Sequence, residues 1–254
     1  MQLFRVLAGW LLTVPIMPTI LLVLMLTPAN RRLVIGAHLV RAWGRIMLAI
    51  CGIRLDIRPA AAEMLRTRSP RVLTLNHSST LDLVIGGAIY PEGCVIVAKE
   101  ELRNLFLLGP VSKRMGMIFI DRSNSVTSRA SLHDAAARIH DEQLVVLIAP
   151  EGTRTRDGRM PRFKAGAFWL AQIADVRVVP MVWTGCRDVW PMGQFGPTSG
   201  TIVIDVLPSI RVGPGEDAPR AAADALRLRY LEALGIEDDI AGAPLGAGAR
   251  QTQV

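Results

Sequence analysis

Two clusters of polar, reactive side chains stand directly after hydrophobic runs of this sequence. The first is Asn76-His77-Ser78-Ser79-Thr80-Leu81-Asp82, in which a carboxylate follows a histidine by five residues. Five residues along one helix would place these two side chains about 140° apart, so they can meet only if a turn intervenes. An aspartate beside an imidazole fixes its tautomer and stabilises its protonated form, which would make His77 a general base with Asp82 as its partner. Ordinary N-capping by Ser78, Ser79 or Asp82 is the alternative interpretation.

A second polar cluster ends another apolar run. It reads Pro150-Glu151-Gly152-Thr153-Arg154, a tight turn that carries one carboxylate and one guanidinium. Two further cations, Lys99 and Arg122, end the runs 94–99 and 116–122. Arginine offers a forked donor to phosphate and lysine offers a point charge, so cations gathered at one place would form an anion site. A solvated charged surface is the alternative interpretation.

Short apolar runs alternate with helical patterns through the central part of the chain. Runs of strand length cover 71–77, 94–99, 116–122, 144–150, 176–183 and 201–208, and helical spacing covers 79–90, 123–142, 163–174 and 219–234. Strands separated by helices predict an α/β fold, with a central mixed sheet flanked by helices. Open α/β sheets bind ligands at the carboxyl ends of their strands, which is where both polar clusters lie. We therefore expect the fold to bring the two clusters to one edge of the sheet.

The N-terminal segment 6–30 contains no charged side chain. Roughly 20 apolar residues cross a bilayer core, so residues 1–30 are predicted to form a membrane anchor despite Pro15 and Pro18. The segment either spans the bilayer or re-enters one leaflet, and a buried core helix is the alternative. The arginines that follow it favour a cytoplasmic C-terminal side, which predicts the cytoplasmic face of a bacterial inner membrane.

The remaining segments complete the predicted organisation. Residues 31–62 are predicted to form an interfacial amphipathic helix and a linker, because Trp43 stands between Arg41 and Arg45 and basic, aromatic-bearing helices lie among the headgroups of anionic lipids. Residues 63–236 form the predicted α/β domain. The tail 237–254 is predicted to be disordered.

The composition agrees with a protein at a membrane surface. Half of the residues are hydrophobic, 20% are charged, and the net charge is +7, with a mean hydropathy of +0.33 and a pI of about 10.1. This composition excludes intrinsic disorder. Nucleic acid is a poor candidate partner, because only 5% of the residues are aromatic and no recognised binding motif accompanies the arginines. Three widely spaced cysteines exclude a disulfide scaffold and favour reduced thiols.

Four segments resemble, in order and spacing, the four motifs of the glycerolipid acyltransferase family, whose best-known members are 1-acylglycerol-3-phosphate acyltransferases. These segments are NHSSTLD (76–82), GMIFIDR (116–122), APEGTRT (149–155) and VVPMV (178–182). The resemblance runs from roughly residue 40 to residue 210, and NHxxxxD together with PEGTR is a specific signal. It implies an α/β acyltransferase domain.

The resemblance also implies roles for particular residues. His77 would take the proton from a glycerol hydroxyl of a lysophospholipid, and Asp82 would orient the imidazole. The acceptor phosphate would be held by residues of the second and third motifs, with Lys99 as a further candidate, and the fourth motif would shape the acyl site. The residues implied for the phosphate are Arg122, Glu151, Gly152, Thr153 and Arg154, and those for the acyl site are Val179 and Pro180. Glu151 repels phosphate, so we expect it to orient Arg122, Arg154 or a glycerol hydroxyl.

The function implied by this resemblance is transfer of a fatty acyl group to 1-acylglycerol-3-phosphate, giving phosphatidic acid in phospholipid biosynthesis. The acyl donor would be acyl-CoA or acyl carrier protein, and neither a metal nor another cofactor is needed. Another lysolipid such as lyso-ornithine lipid, or glycerol-3-phosphate, is an alternative acceptor. A non-catalytic protein that tethers lipid is a remote alternative, against which the intact His77 and Asp82 pair argues.

Overall fold

The computed structural model describes residues 2–106, 108–121, 125–153 and 159–238. The strands in this part of the chain are β1 (Ile53–Ile57), β2 (Arg71–Leu75), β3 (Cys94–Lys99), β4 (Ile118–Ile120), β5 (Val145–Ile148), β6 (Arg177–Thr184) and β7 (Gly200–Val206). The helices are α1 (Gln2–Leu26), α2 (Ala29–Cys51), α3 (Pro59–Arg66), α4 (Asp82–Ala88), α5 (Leu108–Arg114), α6 (Ser125–Asp141), α7 (Gly166–Ile173), α8 (Cys186–Val189) and α9 (Ala218–Leu234). The predicted fold class is confirmed, because these elements form one mixed sheet with helices on both faces.

The strands follow the order β1-β7-β6-β2-β5-β3-β4 across the sheet. Strands β6, β2, β5, β3 and β4 run parallel to one another, whereas β7 runs antiparallel to β6 and parallel to β1. Strand β2 lies between β5 and β6, and all five of its residues are buried. The carboxyl end of β2 is therefore flanked by the carboxyl ends of β5 and β6. Because the predicted general base His77 follows β2, we call this end of the sheet the catalytic edge.

Two hydrophobic cores cover the two faces of the sheet. On one face, side chains such as Leu73 and Trp183 pack with helices α1, α2 and α4. On the other face, side chains such as Val72 and Val178 pack with helices α6, α7 and α9. Neighbouring residues of a strand point to opposite faces, which is why both faces of these strands are apolar.

Helices α1 and α2 form an antiparallel hairpin that packs onto the first of these faces. Each of the two helices is long and apolar enough to cross a membrane. Helix α1 continues through Pro15 and Pro18, and it buries one side against the protein at Met17 and Leu24. Its other side is exposed and apolar, and Leu11 is 79% exposed there. The hairpin thus has a packed side and an unpacked apolar side.

The structure differs from the sequence prediction between residues 53 and 66. This stretch was expected to be a linker up to residue 62, but it forms strand β1 and helix α3, and β1 pairs with β7. Strand β1 reads IRLDI, in which charged residues alternate with apolar ones. It lies at the edge of the sheet and is partly exposed, so it lacks the continuous apolar run by which the central strands were predicted. Of the predicted disordered tail, residues 239–254 lie outside the described residues.

Candidate active site

His77 and Asp82 meet at the carboxyl end of β2. The strand ends at Leu75, a turn follows, and Asp82 is the first residue of α4. The Nδ1 atom of His77 lies 2.7 Å from Oδ2 of Asp82. The side chain of Asp82 is only 3% exposed, whereas that of His77 is 30% exposed. The turn therefore supplies the contact that a continuous helix would forbid, and it leaves the imidazole accessible.

Asp82 fixes both the histidine and the turn. Its Oδ2 atom accepts hydrogen bonds from His77 Nδ1 and, at 3.0 Å, from the backbone N–H of Ser79. An ionised carboxylate can only accept, so the proton shared with His77 belongs to Nδ1 in the neutral ring. This assignment leaves Nε2 with a lone pair. The arrangement is that of a general base, whose accessible nitrogen can take a proton from a substrate.

The serine of the turn has a structural role. The Ser79 hydroxyl accepts a hydrogen bond from the backbone N–H of Leu81 at 3.1 Å and donates one to the carbonyl of Trp190 at 2.6 Å. Local bonds of this kind are typical of serine at a helix start. These bonds stabilise the turn, but the N-cap position of α4 is Leu81 and no side chain caps the helix, so the capping alternative is wrong for Ser79.

Asn76 is a positioning residue, a role that was not predicted from its place in the first polar cluster. Its side-chain amide donates to the Trp183 carbonyl at 2.9 Å, and its Oδ1 accepts from the Trp183 N–H at 2.8 Å. This pair of bonds continues the β2–β6 pairing by one residue beyond Leu75. His77 therefore leaves the sheet from a fixed point. An asparagine between a buried strand and a histidine was the available signal.

Glu151 contacts the backbone of His77. Its Oε1 atom accepts the His77 N–H at 2.6 Å, and the residue is only 5% exposed. Burial is the main cause that raises the pKa of this carboxyl to about 8, and Asp82 raises it further, whereas the His77 N–H and Arg227 oppose the increase. The side chain is thus largely protonated at neutral pH. Among the described residues, Glu151 therefore supports the catalytic turn. This role differs from the one expected from the sequence, which was to orient an arginine or a glycerol hydroxyl.

We expect Glu151→Gln to change the pH dependence of stability. The folded-state pKa of about 8 exceeds the usual 4.5, so between these pH values the folded protein keeps a proton that the unfolded chain releases. The free energy of unfolding of the wild type should therefore fall by a few kcal/mol as pH rises through this window. Glutamine can accept the same hydrogen bond without titrating. The thermal midpoint of Glu151→Gln should therefore fall less than that of the wild type as pH rises through this window. A variant with the wild-type slope would contradict a buried, protonated Glu151.

Two companion variants make this measurement specific. Glu232→Gln removes an exposed carboxyl of α9 and should keep the wild-type slope. Glu151→Ala leaves the buried His77 N–H without an acceptor, so at pH values below about 4.5 it should lower the free energy of unfolding by about 1–3 kcal/mol. This difference from the wild type should shrink as pH rises, because only the wild type has a buried carboxyl to titrate.

Of the other residues of the second and third motifs that are implied for the phosphate, the structure describes Gly152 and Thr153. Gly152 has a φ of 72°, and a Cβ there would lie 2.9 Å from Cε of Lys164. Its N–H donates to the carbonyl of Ala149 at 3.1 Å, so this donor is already used within the turn. Thr153 is exposed beside it. Arg122 and Arg154 lie outside the described residues.

Lys99 and the fourth motif are farther from the histidine. Lys99 ends β3, which β5 separates from β2, and its Nζ lies 3.4 Å from Oε1 of Glu101. At about 4.8 Å per strand, Lys99 begins roughly 10 Å along the edge from β2. Val179 and Pro180 lie within β6 and pair with Leu73 and Thr74. They are part of the sheet, and neither lines the apolar groove described next.

An apolar groove of about 440 Å³ opens beside the catalytic turn. Thr80, Leu83 and Val84 contribute its wall nearest His77, and residues of the α1–α2 hairpin contribute the opposite wall. Phe106, which is 91% exposed, stands at the groove as well. The groove therefore joins the base at the sheet edge to the apolar surface of the hairpin. Within the described ranges, no group of histidine, cysteine and acidic side chains could hold a metal ion.

Comparison with known proteins identifies the family. The family model described as Acyltransferase matches residues 56–184, and the chain belongs to this family, as the motifs predicted. The chain is 38% identical over 162 residues to human 1-acyl-sn-glycerol-3-phosphate acyltransferase beta, covering 63% of this chain and 56% of that protein. It is 34% identical over 181 residues to the human alpha protein, covering 71% and 63%. The chain thus spans less than two thirds of the length of these relatives.

A solved structure shares the fold. The crystal structure of the 1-acyl-sn-glycerophosphate (LPA) acyltransferase PlsC from Thermotoga maritima matches with a TM-score of 0.73 at 16% identity, covering 92% of this chain and 97% of that one. The match includes most of the described elements, so the common architecture extends beyond the segment that the family model covers.

Proposed function

We propose that this protein is an O-acyltransferase that moves a fatty acyl group to the free hydroxyl of 1-acylglycerol-3-phosphate, giving phosphatidic acid. The observation that carries the proposal is the His77–Asp82 pair, held at the carboxyl end of β2 with one imidazole nitrogen accessible. The relatives named above, which are 1-acyl-sn-glycerol-3-phosphate acyltransferases, support the choice of acceptor.

The reaction needs one base and no covalent enzyme intermediate. Nε2 of His77 takes the proton of the acceptor hydroxyl while the hydroxyl oxygen attacks the thioester carbonyl of acyl-CoA or acyl carrier protein. The carbon–sulfur bond then breaks, and the imidazolium returns the proton to the leaving thiolate. Asp82 stabilises the imidazolium between these two steps. Because Glu151 is largely neutral, it supports the turn without adding a second negative charge beside the acceptor phosphate.

The acceptor phosphate is proposed to lie along the catalytic edge on the β5 side of His77. The third motif follows β5, Lys99 ends β3 and Arg122 follows β4, in that order across the sheet. Cations at this side of the base would hold an anionic headgroup while its glycerol hydroxyl reaches Nε2. In this proposal Lys99 exchanges its contact with Glu101 for one with the phosphate.

The acyl chain is proposed to occupy the apolar groove. The groove begins at Thr80, within the same turn as His77, and its lining is almost entirely apolar. A thioester placed with its carbonyl at His77 would thus direct its hydrocarbon chain away from water, where burial of each methylene contributes about 0.8 kcal/mol.

Membrane association is proposed to occur through the exposed side of the α1–α2 hairpin. Helix α1 is fixed to the domain near both ends, because Arg5 donates to the Pro197 carbonyl and Arg114 donates to the Leu24 carbonyl, each at 3.3 Å. A helix held along its length presents one apolar side, which favours insertion into one leaflet over a complete span. The arginines that follow α1 favour the cytoplasmic face of a bacterial inner membrane.

An acceptor panel tests the proposed function. The full-length protein in neutral detergent is given labelled acyl-CoA, or the same acyl group on acyl carrier protein, with lysophosphatidic acid, lyso-ornithine lipid or glycerol-3-phosphate. We expect the highest kcat/KM with lysophosphatidic acid. A higher value with either other acceptor would replace the assigned substrate, and absence of transfer to all three with both donors would overturn the activity.

A further inference from the structure

A second polar site lies beside β1, the strand at one side of the sheet. A groove of about 850 Å³ opens between helix α2, strand β1, helix α3 and the end of α4. Its basic side chains come from several of these elements and from the residues after α3. They are Arg41, Arg45, Arg54, Arg66 and Arg68, and we call this site the arginine groove.

Most of the charge in the arginine groove is uncompensated. Glu92 is the one carboxylate among its lining residues, and it lies 3.6 Å from Arg41 and 3.8 Å from Arg68. Arg45, Arg54 and Arg66 are exposed, and across the described ranges their side chains make no hydrogen bond or ion pair. Gathering like charges in one concavity opposes folding. A ligand that brings negative charge would remove this cost.

The arginine groove is separate from the catalytic edge. It borders β1, which β7 and β6 separate from β2, so at about 4.8 Å per strand it begins roughly 14 Å from the strand that leads to His77. It is also lined by Ala88 and Ile89 at the end of α4, whereas Asp82 begins that helix. Seven helical residues span about 10 Å. An acceptor whose hydroxyl contacts His77 therefore does not place its phosphate here.

The arginine groove borders the apolar surface of the hairpin. At about 100° per residue, Arg41 and Arg45 lie on the same side of α2. Ala42 and Ile46 lie on the adjacent side of this helix, between the two arginines and α1. Ile46 is 44% exposed, and the exposed side of α1 continues this surface. If that surface enters the hydrocarbon region, the arginines lie at the depth of the phosphates. The floor of the groove is apolar as well, as with Leu48 and Leu55.

We propose that the arginine groove binds the phosphate headgroup of an anionic membrane lipid, at a site distinct from that of the acceptor. Forked guanidinium donors suit phosphate oxygens, and the adjoining apolar surface suits the acyl chains of the same lipid. This inference rests on the membrane association proposed above and is independent of acyl transfer.

Vesicle flotation with full-length protein, diluted from neutral detergent, tests this site. The vesicles contain phosphatidylcholine alone, or phosphatidylcholine with about a fifth replaced by phosphatidylglycerol. The test variant combines Arg45→Gln, Arg54→Gln and Arg66→Gln. Each basic residue near an anionic leaflet contributes about fivefold to the partition coefficient, so the variant should bind the anionic vesicles on the order of 100-fold more weakly at low salt. Its binding to neutral vesicles should match the wild type.

A matched variant separates the arginine groove from net charge. Arg138→Gln, Arg220→Gln and Arg229→Gln remove three arginines from α6 and α9, which cover the other face of the sheet. This variant should keep most of the preference for anionic vesicles, because surface charges farther away than about 10 Å are screened. An equal loss in both variants, or no loss in the test variant, would overturn the proposal.

Two further measurements are needed. The first distinguishes a lipid headgroup from a soluble anion as the ligand of the arginine groove, and the second tests the groove independently of the proposed acyl transfer. Inorganic phosphate or glycerol phosphate at millimolar concentration should not compete with the anionic vesicles for the protein. If either one competes with the wild type but not with the test variant, the groove binds a soluble anion and the lipid assignment is overturned. Acyl transfer to a short-chain, water-soluble lysophosphatidic acid should be unchanged in the test variant. Loss of that activity would show that the arginines belong to the catalytic site, which contradicts a separate lipid site.

Discussion

Replacing His77 with alanine should lower kcat/KM for acyl transfer by about 10³- to 10⁴-fold. The substitution removes the nitrogen that takes the proton of the acceptor hydroxyl. Residues 76–82, which form the catalytic turn, contain no other histidine. The fold should be retained, because the imidazole is 30% exposed and its one described side-chain partner is Asp82. The measurement is transfer of a labelled acyl group to lysophosphatidic acid, with the thermal midpoint recorded in parallel.

The matched control for this variant is His133→Ala. His133 is an exposed residue of α6, on the opposite face of the sheet from α4, so its removal should leave kcat/KM within about twofold. Transfer by His77→Ala at the wild-type rate would overturn the general-base mechanism. Equal losses in the two variants would also contradict it, since they would indicate a general effect on the protein.

Asp82→Asn should lower kcat by about 10²- to 10³-fold without a comparable change in KM for either substrate. The amide oxygen can accept the bonds from His77 Nδ1 and Ser79 N–H that Oδ2 accepts now. If the amide were flipped, its N–H₂ group would face the Ser79 N–H, and two donors would oppose each other. The amide oxygen should therefore stay toward His77 Nδ1, which keeps the proton on that nitrogen. What the variant loses is the negative charge that stabilises the imidazolium formed during transfer.

Asp82→Ala distinguishes this loss of charge from a loss of orientation. Alanine removes both hydrogen bonds, so it should lower kcat further than asparagine does and should also lower the thermal midpoint. Asp134→Asn, an exposed aspartate of α6, is the control and should be unchanged. Equal activity of Asp82→Asn and the wild type would mean that the carboxylate orients the ring without stabilising its charge, against the mechanism proposed above.

Much of the catalytic turn could be predicted because its residues are close in sequence. His77 and Asp82 are five positions apart, and an apolar run followed by a helical pattern predicts a strand, a turn and a helix between them. The polar residues after each apolar run identified the edge of the sheet that carries the base. Strand β1 escaped prediction for the same local reason, because an exposed edge strand with alternating charges resembles a linker.

The role of Glu151 could not be predicted in this way. Its motif was identified, but its partner, the backbone N–H of His77, is 74 residues away. The contact exists because β5 is the immediate neighbour of β2 in the sheet. Asn76 and Trp183 depend in the same manner on the pairing of β2 with β6.

The sequence by itself determined the alternation of strands and helices, the apolar N-terminal segment, the family and the His77–Asp82 pair. These features depend on periodicity, on turn chemistry and on residues near one another along the chain. The tertiary structure alone decided that Glu151 supports the catalytic turn as a buried carboxyl, and that five arginines from separate segments line one groove. The physical reason is that burial, and the pKa it shifts, depend on which distant strands and helices become neighbours, and local sequence patterns do not specify that adjacency.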